Sequence, residues 1–204
     1  MFLDLKDQSP AQIYHSMTQT LIPRPVAWVL SENPDGNYNL APFSYFTAVT
    51  SDPPLILISV GKKPDGELKD TRSNILARRH FTVHIGHSAQ AEAMTESART
   101  LPHGESELDT TELQTVPFEG SPVPRLQDCR IAMACELYQV QEIGPKAQAL
   151  IFAQVHRIYV DDDVVEVDDQ GRFRVDALKV DPLARLGANE YATLGQLLYV
   201  PRPK

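Results

Sequence analysis

The stretch LIPRPVAWVLSENPDGNYNLAPFSYFTAVTSDPPLILISVG, residues 21–61, decides the fold predicted for this chain. Its first two apolar runs flank a Pro-Asp-Gly turn at residues 34–36. A run of small, hydroxyl and aromatic residues follows, and a third apolar run begins after Pro53 and Pro54. The pattern predicts a β-meander. The segment that follows its second strand has the composition to line a flat aromatic ligand.

Strand patterns also dominate the rest of the chain. Residues 81–85, 131–140 and 149–159 are predicted strands, and the strands come in hairpins instead of alternating regularly with helices. This arrangement favours a mainly β fold, a closed antiparallel β-barrel with peripheral helices, over a doubly wound sheet. Because no linker separates two halves, we predict one domain over residues 1–204.

Local patterns predict a few short helices. Residues 9–12, Ser-Pro-Ala-Gln, combine an N-cap, a proline at the first helical position and a capping box. Asp70 and Thr71 are predicted to cap a helix that runs to about residue 79, and another helix is expected to begin at Ser88. The polar stretch 101–127 is predicted to be an excursion from the barrel with one short helix. The tail, residues 182–198, is predicted to be a loop followed by a short helix.

Composition excludes several classes of function. The net charge of −8 argues against a nucleic-acid surface, although a local pocket on an acidic protein can still bind a small anion. The N-terminus has no pattern of a signal peptide, and no apolar run approaches the length of a membrane span. Cys129 and Cys135 are expected to lie on one strand as free buried thiols, which indicates a cytoplasmic location.

Three stretches carry the candidate site residues. In the first, prolines on both sides hold Arg24 as a positioned cation, and Ala41, Pro42, Phe43 and Ser44 allow a ring system to approach the backbone. A surface arginine at a strand end and an ordinary strand with a proline bulge are the structural alternatives.

The second stretch, residues 69–74, opens a helix. Helix N-terminal amides suit a phosphate, with Lys69, Thr71 and Asn74 adding charge and hydrogen bonds. A plain capped helix explains the same residues equally well. The third stretch is residues 185–191, in which Arg185 and Tyr191 are candidates for binding an anion and for stacking; a loop that packs on the barrel is the alternative.

Other chemical motifs are weaker. No nucleophile elbow, phosphate-binding glycine loop or paired-cysteine metal site is present in the sequence. His84 and His87 lack a spacing that keeps them on one face, and residues 161–163 lack the glycine of a calcium loop. His103 is expected to be solvated. We therefore predict no metal site.

Together, PRPVAWV, N-LAPFSYF, S-DPPLILISVG, KDTRSNI and PLARLGANEY resemble the flavin reductase-like, FMN-binding split-barrel family, in its flavoredoxin-type subgroup. The resemblance runs from about residue 21 to residue 191. It implies a six-stranded Greek-key barrel and a homodimer with FMN near its interface. It implies that Arg24, Ala41, Pro42, Phe43 and Ser44 lie beside the flavin ring, that Ser59, Lys69, Thr71 and Asn74 lie toward the ribityl chain and phosphate, and that Arg185 and Tyr191 complete the site. Where relatives often have a second glycine after Gly187, this chain has Ala188.

The resemblance also implies an activity. It suggests an NAD(P)H-dependent flavin reductase that passes electrons to free flavin, a monooxygenase partner or another acceptor, with NADH or NADPH as the donor. No catalytic side chain is assigned, because the flavin carries the chemistry. A non-catalytic FMN carrier or sensor and an oxidase of a pyridoxine phosphate are the alternatives.

Overall fold

The computed structural model describes residues 1–201 and 203. In these residues the main sheet has seven strands in the order β3-β2-β6-β9-β10-β5-β4, and each neighbouring pair is antiparallel. The strands are β1 Arg24–Pro25, β2 Ala27–Glu32, β3 Tyr38–Phe43, β4 Phe46–Ser51, β5 Pro54–Val60, β6 His80–Ile85, β7 Thr115–Val116, β8 Arg125–Leu126, β9 Ile131–Ile143, β10 Gln148–Val160, β11 Val165–Val167, β12 Phe173–Val175, β13 Ala184–Arg185 and β14 Tyr191–Ala192. The α-helices are α1 Pro10–Thr20, α2 Asp70–Arg78, α3 Ala91–Glu96, α4 Leu108–Thr111 and α5 Ala177–Val180.

The sheet closes because its two outermost strands are neighbours in sequence. β3 ends at Phe43 and β4 begins at Phe46, so only Ser44 and Tyr45 connect them. Three Cα–Cα steps span at most about 11 Å, and a flat sheet would hold the two strands much farther apart. The sheet therefore curls into the predicted antiparallel barrel. The barrel has seven hydrogen-bonded strands instead of the predicted six, because the link of two residues divides one long extended segment into β3 and β4.

Strand β2 shows how the barrel core forms. It is buried on both faces, with Ala27 and Val29 in the cluster that fills the barrel and Trp28 and Leu30 in a second cluster beneath the helices. Alternate residues of a strand point to opposite faces, so one continuous apolar run serves both cores. The indole N–H of Trp28 donates to the hydroxyl of Ser97 at 2.8 Å, which satisfies its buried polar group.

The predicted caps of two helices had different outcomes. The capping box of Ser9 and Gln12 is present at the start of α1, as predicted. The predicted cap of α2 is wrong, because Lys69 is the N-cap residue and makes no side-chain capping bond. Asp70 lies inside the first turn, and its carboxylate accepts instead from Lys63 Nζ at 3.1 Å and bonds His103 Nδ1 at 2.7 Å.

The excursion 101–127 packs on the barrel. It carries α4, close to the predicted short helix, and buries three apolar side chains: Phe118, Val123 and Leu126. The tail differs from its prediction, since residues 193–201 form no helix; instead β13 pairs with β1, and β14 pairs with β13.

Both cysteines are free and buried, as predicted, but Cys129 precedes β9, so the expectation that they share a strand is wrong. In the described part of the chain, no helix has the length and apolar character needed to cross a membrane.

The guanidinium of Arg24 connects three distant parts of the chain. It is only 4% exposed. It donates to the carbonyls of Thr18 at 2.6 Å, Leu21 at 2.7 Å and Leu186 at 2.7 Å, and its Nε donates to Ser44 Oγ at 3.3 Å. One side chain thus fastens the end of α1 and the C-terminal loop to the link that closes the barrel.

Replacing Arg24 should therefore destabilise the fold. We expect Arg24→Lys to lower the free energy of unfolding by about 2–4 kcal/mol, because an ammonium group cannot reach all four acceptors of a planar guanidinium. Chemical denaturation would measure the loss, with Arg174→Lys on the exposed strand β12 as the control. Equal stability of the two variants would show that the buried contacts of Arg24 are not needed.

Candidate functional site

Two adjoining cavities lie where β3, β5 and the start of α2 meet. Cavity A has a volume of about 290 Å³ and is lined by Asn39, Ala41, Pro42, Lys62, Lys63, Pro64, Lys69, Asp70, Thr71, residues 97–101 and Glu107. Cavity B has a volume of about 350 Å³ and is lined by Tyr14, Pro42, Phe43, Ser44, Tyr45, Ser59, Gly61, Lys62, Lys69 and Gln148. Three residues line both cavities: Pro42, Lys62 and Lys69. The two cavities can therefore hold different parts of one extended ligand.

Cavity A has the chemistry of an anion site. The first amides of α2 have no partner within the helix, and its dipole places partial positive charge at this end. Four cationic side chains line the cavity, Lys62, Lys63, Lys69 and Arg99, with the carboxyl groups of Asp70 and Glu107. Arg99 is paired with Glu96 and Lys63 with Asp70, so Lys62 and Lys69 are the cations without a carboxylate partner among the described residues. The Asp70 carboxylate already has Lys63 and His103 as partners. Free amides and surplus positive charge together suit a phosphate.

Thr71 has a hydroxyl that is set up to donate. The side chain is 1% exposed, and its Oγ1 accepts from Asn39 Nδ2 at 2.8 Å. This bond fixes the orientation of the hydroxyl, and its hydrogen has no acceptor among the described residues. Because Thr71 also lines cavity A, this hydrogen is available to a ligand oxygen.

Cavity B has flat apolar walls with polar groups at their edges. Pro42, Phe43 and the tilted rings of Tyr14 and Tyr45, whose centroids are 6.5 Å apart, form its surfaces. Gln148 Nε2 donates to Ser59 Oγ at 3.0 Å. Apolar walls with a few placed polar groups are typical of a pocket for a ring system.

Lys69 stands between the two cavities. Its ammonium nitrogen lies 5.5 Å from the centroid of the Phe43 ring, within the range of a cation–π contact. By surface area the residue is exposed, yet the protein atoms around its charged end desolvate it and lower its pKa. A partly desolvated cation interacts more strongly with an anion than a fully solvated one does.

Glu107 brings the excursion into the site. Its side chain is buried, and its carboxylate accepts from the backbone N–H of Leu40 at 2.7 Å. Burial, with a smaller contribution from Asp70, raises its pKa to about 7, while the N–H of Leu40 and the charge of Lys63 oppose the shift. The carboxyl group thus changes its charge near neutral pH beside the anion site.

Most of the sequence-predicted site residues lie in these walls. Seven line one cavity or both: Ala41, Pro42, Phe43, Ser44, Ser59, Lys69 and Thr71. Four line neither. Arg24 holds backbone carbonyls, and Asn74 donates to Ser31 Oγ at 3.2 Å and Asn33 Oδ1 at 2.7 Å on β2 and the turn after it. Arg185 stacks over the ring of Tyr191 at 4.7 Å and bonds its own loop, in which Ala188 takes the positive φ of 49°.

Sequence reasoning missed several wall residues. Lys62 and Lys63 form a basic pair close before Lys69, a local pattern that was available in the sequence. Tyr14, Arg99, Glu107 and Gln148 come from distant segments, and no pattern links them to the site.

The histidines that the sequence singled out have other partners. His87, weighed as a metal ligand with His84, bonds the carbonyl of Asp128 through Nε2 at 3.2 Å. His84 is fully buried, donates from Nδ1 to the carbonyl of Trp28 at 3.0 Å and accepts the N–H of Leu126 on Nε2 at 2.9 Å; burial lowers its pKa to about 4. His103, expected to be solvated, is exposed but bonded to Asp70. Within residues 1–201 and 203, no cluster of three or more potential metal ligands occurs.

Comparison with known proteins assigns the class. The family model described as flavin reductase like domain matches residues 18–175, so the chain belongs to the flavin reductase-like family. This confirms the resemblance seen in the sequence.

Solved structures of the same fold agree with this assignment. Nitrilotriacetate monooxygenase component B from Bacillus cereus is 33% identical, with a TM-score of 0.89 and 98% of each chain covered. Pseudomonas fluorescens 2-nitrobenzoate 2-nitroreductase NbaA is 28% identical, with a TM-score of 0.87 and coverage of 100% of this chain and 96% of that one. The fold of flavoredoxin from Desulfovibrio vulgaris (Miyazaki F) also matches, at 21% identity and a TM-score of 0.76, over 98% and 97% of the two chains.

The raised pKa of Glu107 predicts a dependence of stability on pH. Because folding raises this pKa from 4.5 to about 7, the group favours the folded state at low pH, and its contribution is lost as pH rises through this interval. Glu107→Gln keeps an acceptor for Leu40 without titrating. As pH rises from about 5 to about 8, the free energy of unfolding of the Glu107→Gln variant should increase by roughly 2–3 kcal/mol relative to that of the native chain.

Chemical denaturation across this pH range measures the gain. Glu105→Gln, two residues away on the exposed surface, is the control and should track the native chain. A constant difference between Glu107→Gln and the native chain would contradict the raised pKa.

Proposed function

We propose that this protein binds FMN across cavities A and B and reduces it with NADH or NADPH for a second acceptor. The observation that carries the proposal is the start of α2, where free amides, the Thr71 hydroxyl and several cations meet beside a flat-walled cavity. These donors fit a phosphate, and the Pro42–Phe43 wall fits a flavin ring. When bound, the flavin would supply the hydride chemistry.

The side chains have separate tasks in this proposal. Thr71, Lys69 and the α2 amides hold the phosphate, while Ala41, Pro42, Phe43 and Ser44 support the ring. Ser59, oriented by Gln148, bonds the ring edge or the ribityl chain. Lys69 adds positive charge beside the ring, which electrostatically favours a reduced anionic flavin. Asn74 acts indirectly by fastening α2 to β2.

The acceptor is proposed from the named relatives. The Bacillus cereus relative is a monooxygenase component, which supports transfer of electrons to a partner protein, and the Pseudomonas fluorescens relative is a nitroreductase, which supports a small acceptor. A single-domain chain with two free thiols is consistent with the proposed cytoplasmic location.

We also propose a homodimer. Within residues 1–201 and 203, strand β4 pairs with β5 alone, and five of its six residues are exposed. Nearby α1 and its C-terminal end expose Tyr14, Met17, Leu21 and Ile22, an apolar surface that a second copy would cover. Arg185 and Tyr191 would then complete the partner's site instead of their own. Sedimentation as a monomer at all concentrations would contradict this assembly.

Oxidation of a pyridoxine phosphate has less support. It requires a second phosphate site, for which the adjacent arginines Arg78 and Arg79 are the candidates. Arg78 pairs with Glu32 and donates to the carbonyl of Asn33, while Arg79 pairs with Glu136 and donates to the carbonyl of Leu137. Both guanidinium groups are therefore engaged in holding α2 against the barrel.

The phosphate assignment predicts a contrast between two neighbouring side chains. Thr71→Ala should weaken FMN binding by about 1–3 kcal/mol and leave riboflavin affinity unchanged, because riboflavin has no phosphate. Asn74→Ala should lower the free energy of unfolding with little effect on FMN affinity, since its amide faces β2. Fluorescence titration measures both affinities. An unchanged FMN affinity in Thr71→Ala would place the phosphate elsewhere.

The reductase role is tested by anaerobic reduction. Mixing the FMN-loaded protein with NADH or NADPH should bleach the flavin absorbance much faster than free FMN is reduced at the same concentrations. A rate no higher than that of free FMN with both donors would leave a carrier or sensor role for the flavin.

A further inference from the structure

Arg72 is a buried cation to which the proposed function gives no task. It lies in the first turn of α2, directly after Thr71, and is 3% exposed. Its Nη1 donates to the carbonyl of Ala147 at 3.0 Å, and its Nη2 pairs with the carboxylate of Glu142. Both acceptors lie at the tip of the hairpin that joins β9 to β10. One side chain therefore connects the start of α2 to this hairpin tip.

The turn at the hairpin tip has a strained backbone. Gly144 has a φ of 72° and Ala147 a φ of 49°, and the N–H of Ala147 donates to the carbonyl of Gly144 at 3.1 Å. A residue with a Cβ is disfavoured in the left-handed region, so the conformation at Ala147 persists only where surrounding contacts hold it. The bond from Arg72 to the Ala147 carbonyl is such a contact.

Gln148 connects the turn to cavity B, because it follows Ala147 directly and begins β10. Its Nε2 donates to Ser59 Oγ at 3.0 Å, and both side chains line cavity B. A Cβ at Gly61 would lie 3.2 Å from Gln148 Oε1, so the glycine leaves the space that this amide needs. A continuous path thus runs from Arg72 at the phosphate end of the site to Ser59 at the ring end.

The surroundings of Arg72 favour a role in geometry over a large contribution to stability. Its Nε is buried without a hydrogen-bond partner among the described residues, and the side chain of Glu142 is 54% exposed. The cost of removing a guanidinium from water offsets much of the gain from pairing it. The contacts of Arg72 do fix the position of the hairpin tip relative to the start of α2.

We infer that Arg72 is a positioning residue of the flavin site, which holds the turn 144–147 so that Gln148 orients Ser59 toward the ligand. This inference rests on the proposed binding of flavin in cavities A and B. Arg72 lines neither cavity, so its effect on the ligand passes through Gln148. It thereby keeps the phosphate donors of α2 and the ring-side donors of the barrel at a fixed separation.

A double-mutant cycle tests this inference, with riboflavin as the probe because it has the ring and the ribityl chain without the phosphate. We expect Arg72→Gln and Gln148→Ala each to weaken riboflavin binding roughly three- to tenfold, about the value of one hydrogen bond. The double variant should bind no more weakly than Gln148→Ala alone. An equal loss from Arg72→Gln in the native chain and in Gln148→Ala, or no loss in either, would overturn the inference.

Arg79→Gln is the matched control. Arg79 also connects α2 to β9, through Glu136 at 3.2 Å and the carbonyl of Leu137 at 2.6 Å, but these contacts lie away from the hairpin tip. Its replacement should leave riboflavin affinity unchanged. If Arg72→Gln does not fold, Glu142→Ala loosens the same contact from the exposed side and should weaken riboflavin binding by a smaller factor, again only while Gln148 is present.

Hydrogen exchange of the ligand-free protein separates this inference from the proposed function. The backbone amides of residues 144–148 should exchange faster in Arg72→Gln than in the native chain or in Arg79→Gln. Unchanged exchange would overturn the inference whatever the protein binds. Faster exchange in a chain that binds neither FMN nor riboflavin would instead overturn the proposed function and reduce Arg72 to a structural role.

Discussion

The link of two residues between β3 and β4 is the constraint on which the rest of this structure depends. Because Ser44 and Tyr45 join strands at opposite ends of the sheet order, the sheet has to close, and the closing corner lies in the wall of cavity B. Arg24 holds the corner through Ser44 and also binds the end of α1 and the C-terminal loop. Barrel closure and the shape of the candidate ring site are thus consequences of the same short segment.

The anion site depends on how a short helix is held. A helix of nine residues has little stability alone, so α2 is positioned by its contacts with the barrel. Polar side chains make the most specific of these contacts: Asn39 bonds Thr71, and Asn74 bonds Ser31 and Asn33. A buried side-chain amide without a hydrogen-bond partner is costly, so these bonds hold α2 in one orientation. They thereby fix the direction of the backbone amides at the start of α2. Stability and ligand geometry are therefore coupled at the same residues.

The sequence predicts those parts of the fold that have local causes. The meander around residues 34–36 and the capping box of Ser9 follow from turn and cap chemistry that neighbouring residues complete. The prediction that Asp70 caps α2 was wrong because its carboxylate bonds Lys63 and His103 instead. Only the folded chain brings these two side chains close to it. The same distinction applies to the site. Ala41–Ser44 and Thr71 are visible as motifs, whereas Arg99 and Glu107 reach cavity A from the polar segments that follow α3.

Local charge, more than net charge, explains how an acidic protein can have an anion site. The net charge is −8, but charges in exposed loops are screened within about 8–10 Å, while those inside cavity A act at short range with less solvent between them. Glu107 is the exception, since it brings a carboxyl group into the cationic cavity. Its raised pKa reduces this conflict, because a carboxyl group that is protonated near neutral pH donates a hydrogen bond and does not repel an anion. The excursion 101–127 thus contributes a wall whose charge depends on pH and on what the cavity holds.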